Sequence, residues 1–354
     1  MGEPESGREL PQDRRGHGGS GFGGDPVRRV QIGMLLLFGS LGFAQEGWER
    51  EHEAGARAAK QARFAEAEKL LLQSEREARR NSETSPLLAR SLLDLAEVYR
   101  TEGNYGEAQA RYEEALKIYT RQSGEDSLQV AEVLNKHAEL YKTLNDYAKA
   151  EPLLQRSLEI RQRKLPADSG EVAQVQNDLG ELYTYRKTGK TSQAESSYRK
   201  AVGIFGKTVG GEHPDYANAM EGLALFYSER RQFDLAVPLL QRILEIREKV
   251  FGPEHHDVAV SLDEIGLATL QQRQYRSAIS SYERSVKIWE KIFGPESEVL
   301  SPDLNNLAAA YEGLSNYTAA EPLLQRAVRI DEKALGPTAR TWRLICIIWQ
   351  RCCT

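Results

Sequence analysis

Six alanines, Ala108, Ala150, Ala194, Ala236, Ala278 and Ala320, stand 42, 44, 42, 42 and 42 residues apart. A spacing this regular constrains the fold more than any other feature: one supersecondary unit is copied along the chain, each copy burying the face its neighbour leaves open. Three residues before five of these alanines stands an aromatic, Tyr105, Tyr147, Phe233, Tyr275 or Tyr317, with Thr191 in the remaining place. Twelve residues before them lies a second small residue, Ala96, Ala138, Ala224, Gly266 or Ala308; Gly180 stands fourteen before, where the turn carries two extra residues. Small side chains at both places let two helices approach closely.

The remaining apolar positions keep the helical period. Tyr99, Tyr141, Tyr183, Tyr227 and Tyr311 follow the first small residue by one turn, with Thr269 in the remaining place. Beyond the second small residue come Ala115, Ser157, Ala201, Ile243, Ser285 and Ala327, then Ile118, Ile160, Ile204, Ile246, Ile288 and Ile330. Such a stripe marks the buried face of an amphipathic helix. Gly103-Asn104, Asn145-Asp146, Gly189-Lys190 and Ser315-Asn316 separate the two helices of their units, with Asn or Asp placed to cap the second helix. An earlier unit near Trp48 puts Gly55, Phe64 and Ala67 in register at a spacing of 41, so about seven hairpins are expected over residues 48–336. The fold class is all-α. In the second helices, Pro152-Leu153-Leu154-Gln155-Arg156, Pro238-Leu239-Leu240-Gln241-Arg242 and Pro322-Leu323-Leu324-Gln325-Arg326 alternate with units carrying Tyr112, Tyr198 and Tyr282 in place of Leu154. This predicts neighbouring hairpins of different core size and is read as packing.

The small–aromatic–small pattern resembles the tetratricopeptide repeat (TPR), and the long period resembles the subfamily typified by kinesin light chains. The connections Phe251-Gly252-Pro253-Glu254-His255 and Gly211-Glu212-His213-Pro214-Asp215 are similar to that subfamily's linker. The resemblance implies a right-handed α-solenoid of stacked antiparallel helical hairpins, a TPR superhelix, with a protein or extended peptide as partner. Residues before the repeats show no heptad-bearing stretch of the kind by which a kinesin light chain joins its motor, so the resemblance transfers the fold and not the transport role.

By the same resemblance, first helices line a concave groove. Its candidate contact position, three residues before each first-helix small residue, holds Leu93, Asn135, Asn177, Glu221, Asp263 and Asn305. Five of these six are amides or carboxylates, and an asparagine presents both donor and acceptor, so a ladder of them suits the backbone of an extended peptide. Five neutral hydrogen bonds at about 0.5–1.5 kcal/mol each give about 2.5–7.5 kcal/mol before the cost of ordering the peptide, an affinity that is micromolar at best. Neighbouring positions add Glu97, Glu139 and Glu181, then Arg100 and Lys142, then Leu225 and Leu267. The N-terminal half of the groove is expected to suit polar or basic ligands and the C-terminal half apolar ones. The plainer alternative is that these side chains are solvated surface or bond one another between stacked helices.

Charge and composition exclude other classes. With 47 basic and 52 acidic residues the net charge is -5, without the basic stripe that a nucleic-acid backbone requires. All three cysteines, Cys346, Cys352 and Cys353, lie in the last nine residues, so the repeats use none for metal, redox or disulfide chemistry. The histidines show no pair one helical turn apart around a Glu, as a helix-borne zinc site needs; His255 and His256 are read as solvated loop residues. The Gly-rich run Gly16–Gly24 has no strand before it and no helix after it in the places a phosphate loop requires. No metal, no cofactor and no catalytic activity are expected. Self-association through terminal hairpins is the competing function.

Residues 1–26 hold almost no apolar side chains and are expected to be disordered. Arg28-Arg29, the apolar run Ile32–Phe43 and the small residues Gly42 and Ala44 give residues 27–44 a signal-peptide layout, with cleavage before Gln45. Export to a periplasm or exterior is the expectation, a cytoplasmic location the alternative. Residues 337–354 lose the repeat pattern. A one-base shift of reading frame converts Trp342-Arg343 and Trp349-Gln350 to alanine and Cys352-Cys353 to leucine, and permits a string resembling Leu304–Tyr311. The tail is therefore read as a frameshifted eighth hairpin, which leaves the last apolar face without its next partner.

Overall fold

The computed structural model describes residues 47–185 and 189–335; the expected disordered lead, signal peptide and atypical tail lie outside the described residues. The described chain forms two compact units that divide after Glu83. In the first, helix α1 (47–60) pairs with α2 (Phe64–Asn81). There Gly55 lets α1 close on Leu71: a Cβ added at Gly55 would meet Leu71 Cγ at 2.8 Å.

The second unit is a stack of helical hairpins: α3 (Pro86–Thr101) with α4 (Tyr105–Ser123), α5 (Leu128–Thr143) with α6 (Tyr147–Lys164), and α7 (Gly170–Thr184) with α8 (Thr191–Thr208). It continues with α9 (Pro214–Glu229) and α10 (Phe233–Phe251), α11 (His256–Gln271) and α12 (Tyr275–Phe293), and α13 (Leu300–Gly313) and α14 (Tyr317–Leu335). Each helix packs on the next, and first helices also touch across hairpins, α3 with α5, α7 with α9 and α11 with α13. That contact puts the odd-numbered helices along one face, where a groove forms. Among the described residues no helix is long and apolar enough to cross a membrane.

Capping sets where the first helices begin. The hydroxyls of Ser85, Ser127 and Ser169 accept from backbone N–H groups of α3, α5 and α7 at 3.2, 3.3 and 3.2 Å. In the next two hairpins a histidine takes this place: Nδ1 of His213 accepts from the Asp215 N–H, and Nδ1 of His255 from that of Asp257, both at 3.2 Å. His255 is thus an N-cap rather than a free loop side chain, and its ring stacks on Phe251 with centroids 4.6 Å apart. The histidine of the connection motif has a local reason: with Nε2 protonated, its imidazole satisfies one of the orphan donors at the helix start. His255→Ala should cost about 1 kcal/mol, and His255→Ser, which copies the earlier hairpins, should restore most of it; urea melts of the two variants against wild type measure this.

Five first helices end in a left-handed residue: Gly103, Asn145, Arg231, Arg273 and Ser315 have φ of 82, 58, 59, 60 and 58°. Behind it the N–H of Asn104, Asp146, Gln232, Gln274 and Asn316 closes onto the carbonyl five residues back at 2.8–2.9 Å, the Schellman arrangement. Of the side chains expected to cap second helices, Asp146 accepts from the Lys149 N–H and Asn316 from the Ala319 N–H, each at 3.3 Å, while Asn104 makes no such bond.

The repeated small residues form the seam of each hairpin. Ala108, Ala150, Ala194, Ala236 and Ala278 are fully buried and Ala320 is 1% exposed. The alternation in core size also holds. Ala138 clusters with Leu154 and Ala224 with Leu240, whereas Gly180 and Gly266 lie against the rings of Tyr198 and Tyr282, each 2.8 Å from where a Cβ would stand. Ile204 departs from its expected place: it is half-buried, and Phe205 fills the core instead. The arginine that follows this seam in the second helix has a task beyond packing. Arg242, Arg284 and Arg326 donate to the carbonyls of Gly211, Pro253 and Pro295 at 2.9, 3.3 and 2.6 Å, fastening the connection that enters their own hairpin. Arg156 does the same through the Asp126 carboxylate.

Candidate functional site

Helices α5, α7 and α9 wall two adjoining clefts that share Glu181. Between α5 and α7 a cleft of about 760 Å³ presents six carboxylates, Glu97, Glu132, Glu139, Glu171, Asp178 and Glu181, against Lys136 and Arg161. Between α7 and α9 the cleft measures about 900 Å³ and mixes Asn177, Asn218 and Glu221 with Tyr185, Leu225 and Phe226. Leu225 is 43% exposed and Leu267, one hairpin later, 48%. The cleft between α7 and α9 is therefore the more apolar of the two.

The candidate contact residues fare differently. Asn135 lines the acidic cleft and donates from Nδ2 to Asp178 at 3.0 Å, while its Oδ1 is buried without a protein partner. Asn177 lines the wider cleft, and its Oδ1 is likewise buried without one. Glu221 accepts from Arg247 at 3.0 Å, and Asp263 accepts from Trp289 Nε1 at 3.0 Å and from Ser285. Asn305 is half-buried on α13, and Leu93 is fully buried in the core. Arg100 donates to Glu97 at 3.2 Å. Lys142 is only 8% exposed; its ammonium bridges Glu139 at 2.9 Å and Glu181 at 2.6 Å. Burial disfavours that charge, but the two carboxylates outweigh it and hold the ammonium above the usual lysine range. Lys142 thus organises the cleft floor more than it faces solvent.

Several polar residues here were not singled out by sequence. Asp178, 6% exposed, accepts from Asn135 and from Gln174 at 2.9 Å, and burial raises its pKa. Its register holds Asp94, Lys136, Glu264 and Asn306 in other repeats, so nothing in the sequence marks Asp178 as the buried member of that row. His137 is 5% exposed between the rings of Tyr112 and Tyr141, at 5.3 and 4.8 Å, and burial lowers its pKa, so it stacks as a neutral imidazole.

Farther along, Asp303 of α13 is 5% exposed and receives Ser285 Oγ at 2.8 Å, the same hydroxyl that contacts Asp263. Burial first, then the charge of Asp303, pushes Asp263 up to about 8. An unfolded aspartate titrates near about 4, so the folded state binds the proton more tightly. The associated stability is complete below about pH 4 and is lost as pH rises toward the folded pKa. Wild type should lose more melting temperature between pH 5 and 8 than Asp303→Asn, which has no second carboxylate to repel; a thermal melt series in matched buffers reads the difference.

The tetratricopeptide repeat profile matches residues 52–121, 87–163, 129–207, 171–248, 215–291 and 264–333, overlapping windows that together cover most of the chain. This chain is a tetratricopeptide repeat protein. Among solved structures the TPR chain is similar to BtubC (BKLC) from P. vanneervenii, at 22% identity over 66% of this chain and 92% of that one, with a TM-score of 0.57. It is also similar to a kinesin-light-chain-type protein with nearly identical TPR-like repeats from Podosopora anserina, at 24% identity over 59% and 98% of the two chains, TM-score 0.53. A Rap protein complexed with competence and sporulation factor aligns over 81% of this chain and 75% of its own, at 17% identity and TM-score 0.53. At these identities the likeness is one of fold: the right-handed TPR α-solenoid expected from the repeat. No functionally curated protein matches the TPR chain. Among its described residues no group of three His, Cys, Asp or Glu side chains is placed to hold a metal ion.

Proposed function

We propose that this protein is a non-catalytic scaffold that holds an extended polypeptide segment in the groove walled by α5, α7 and α9, with basic side chains of the ligand toward the α5–α7 end. The observation that carries this reading is the juxtaposition of the two clefts: six carboxylates facing two cations, continuous through Glu181 with a wall bearing Tyr185, Leu225 and Phe226. A concave surface of one sign focuses its field and draws ligands of the other sign, while partly exposed apolar side chains beside it supply buried area on binding. Asn177 and Asn218, between these regions, offer amides for the ligand's main chain. The Rap protein named above, which shares the fold, was solved complexed with competence and sporulation factor, a precedent for ligand binding on a scaffold of this kind.

The test is an array of extended peptides varied in charge and probed with the full chain, beside the folded triple variant Asn135→Ala, Asn177→Ala, Asn305→Ala. Expected is a preference for basic–apolar sequences that weakens with salt and is lost in the triple variant. A preference for acidic peptides, or equal binding by both proteins, refutes the groove reading.

A further inference from the structure

Two junctions in the stack are built to the same plan 42 residues apart, and they differ in the three side chains that meet there. At the first, Arg247 of α10 sits between two neighbours, donating to Glu221 of α9 at 3.0 Å and to Ser261 of α11 at 2.8 Å. At the second, each of these positions recurs: Asp263 stands for Glu221, Asp303 for Ser261, and Trp289 for Arg247. The acceptors have gained a carboxylate and the cation has become an indole. Trp289 Nε1 still donates to Asp263 at 3.0 Å, and Ser285 lies between Asp263 and Asp303. Among the described residues neither carboxylate is paired with a basic side chain.

A second observation points the same way. Tyr282 is fully buried, and its hydroxyl makes no hydrogen bond within 3.5 Å. Tyr282 stands one turn before Ser285, the residue that bonds both carboxylates; burial first, then the charges of Asp303 and Asp263, raise its pKa. The surroundings hold little else that titrates: Glu264 on α11 interacts with Glu221 and Arg247, His256 meets Trp289 edge-on at 4.8 Å, and α13 adds Asn306 next to Tyr282. Two carboxylates this close and this buried cannot both ionise without a counter-charge, so at neutral pH they share a proton. Asp263 occupies the groove register and is half-buried.

We propose that the Asp263–Asp303 pair is the receptor for one arginine guanidinium carried by a polypeptide in the groove, doing for the ligand what Glu221 and Ser261 do for Arg247. The choice of guanidinium over ammonium follows from the chain's own template: a planar fork reaches two acceptors on adjacent helices at once. When the cation arrives, the shared proton leaves to solvent, so binding tightens as pH rises. This inference rests on the groove reading above and adds to it a specific side chain and a place.

The probe is a blocked Gly–Ala peptide with one central arginine, compared with the same peptide carrying citrulline, its neutral isostere. Binding is followed by calorimetry and by the Trp289 indole N–H resonance, assigned with Trp289→Phe. At about pH 8 the arginine peptide should bind the full chain roughly tenfold or more tighter than the citrulline peptide, release a proton and shift the Trp289 resonance. That advantage should vanish at pH 5, and in Asp303→Asn and Asp263→Asn variants whose melts show them folded. Equal affinity for the two peptides, or an arginine preference that survives both substitutions, overturns the proposal and leaves the groove reading standing. A Trp289 shift produced by magnesium chloride alone, and abolished by Asp303→Asn, would reassign the pair to a metal and also overturn it. Failure of the groove reading shows instead in the peptide array, where the triple asparagine variant leaves Asp263 and Asp303 intact.

Discussion

Gly266→Ala lowers the stability of the solenoid by about 2 kcal/mol, and adding Tyr282→Leu to the same chain recovers most of the loss. The added methyl would stand 2.8 Å from Cε2 and Cζ and 2.9 Å from Cε1 of Tyr282. That ring is fully buried among Ala278, Leu307 and Ala310, so it has no room to swing away. Overpacking a filled site costs about 1–3 kcal/mol, and three close ring contacts place this case at the upper end. The better helix propensity of alanine returns about 1 kcal/mol. The rescue follows from the chain's own usage, because hairpins with Ala138 or Ala224 in the first helix present Leu154 or Leu240 from the second. Ala96 opposite Tyr112 is the instructive exception, since there the hydroxyl is held by Glu97; the residue after Gly266 is Leu267, which offers no acceptor. Tyr282→Leu alone leaves a hole beside the glycine and is itself destabilising. Urea melts of the two single variants and the double variant give a coupling energy of about 1 kcal/mol or more; simple additivity would contradict the seam described here.

Lys142→Met should cost about 2 kcal/mol at neutral pH, although methionine fills the same apolar stem. The ammonium bridges Glu139 and Glu181, and removing it leaves two carboxylates facing each other on the cleft floor. Breaking a fully buried pair costs about 3–5 kcal/mol; the Glu181 side chain is 48% exposed, so part of the charge is solvated and the figure is reduced accordingly. The pH dependence separates this cause from lost packing. As the pH falls toward about 4, where glutamates protonate, the repulsion disappears and the deficit of the variant should shrink. A deficit that stays constant from pH 7 to pH 4 would assign Lys142 to packing alone. Glu181→Gln in the Lys142→Met background should recover about half of the loss at neutral pH by the same electrostatic argument.

The apolar skeleton was legible in the sequence because it depends on periodicity alone. Which residue faces inward follows from the helical repeat, and the seam of small residues and the Gly–Tyr and Ala–Leu pairings came out where the register put them. The polar commitments were not legible in the same way. Asn135 meets Asp178, 43 residues away, and Arg247 meets Glu221, 26 residues back. A register assigns each of these to a face but does not say which neighbour's side chain will reach it. Lys142 illustrates the limit: its position points toward the groove, yet two acidic neighbours, one from the next first helix, draw it in. His255 and His256 are exposed, as expected of solvated residues, but the N-cap role of His213 and His255 was not legible, because an imidazole N-cap has no serine- or aspartate-like signature. Asp303 stands at a core register, where Val133 and Val175 stand in other repeats, and only its charge marks it as out of place; Asp178 shares a polar register and carries no such mark.

The fastening of the connections has a consequence for how such an array changes over time. Arg242, Arg284 and Arg326 each donate to a backbone carbonyl of the connection, and each also pairs with a carboxylate, Glu245 of its own helix for Arg242, Glu248 and Glu290 of the preceding hairpin for Arg284 and Arg326. A main-chain acceptor is present whatever residues the loop carries, so these connections are free to drift in sequence while the joint stays closed. The donor and its acceptor also belong to one hairpin and its entry loop, 31 residues apart. A hairpin duplicated in tandem would arrive with its own main-chain clasp, and one deleted would take that clasp away; only the ion pairs to the preceding hairpin, such as Arg284 with Glu248, would have to be met again by the new neighbour.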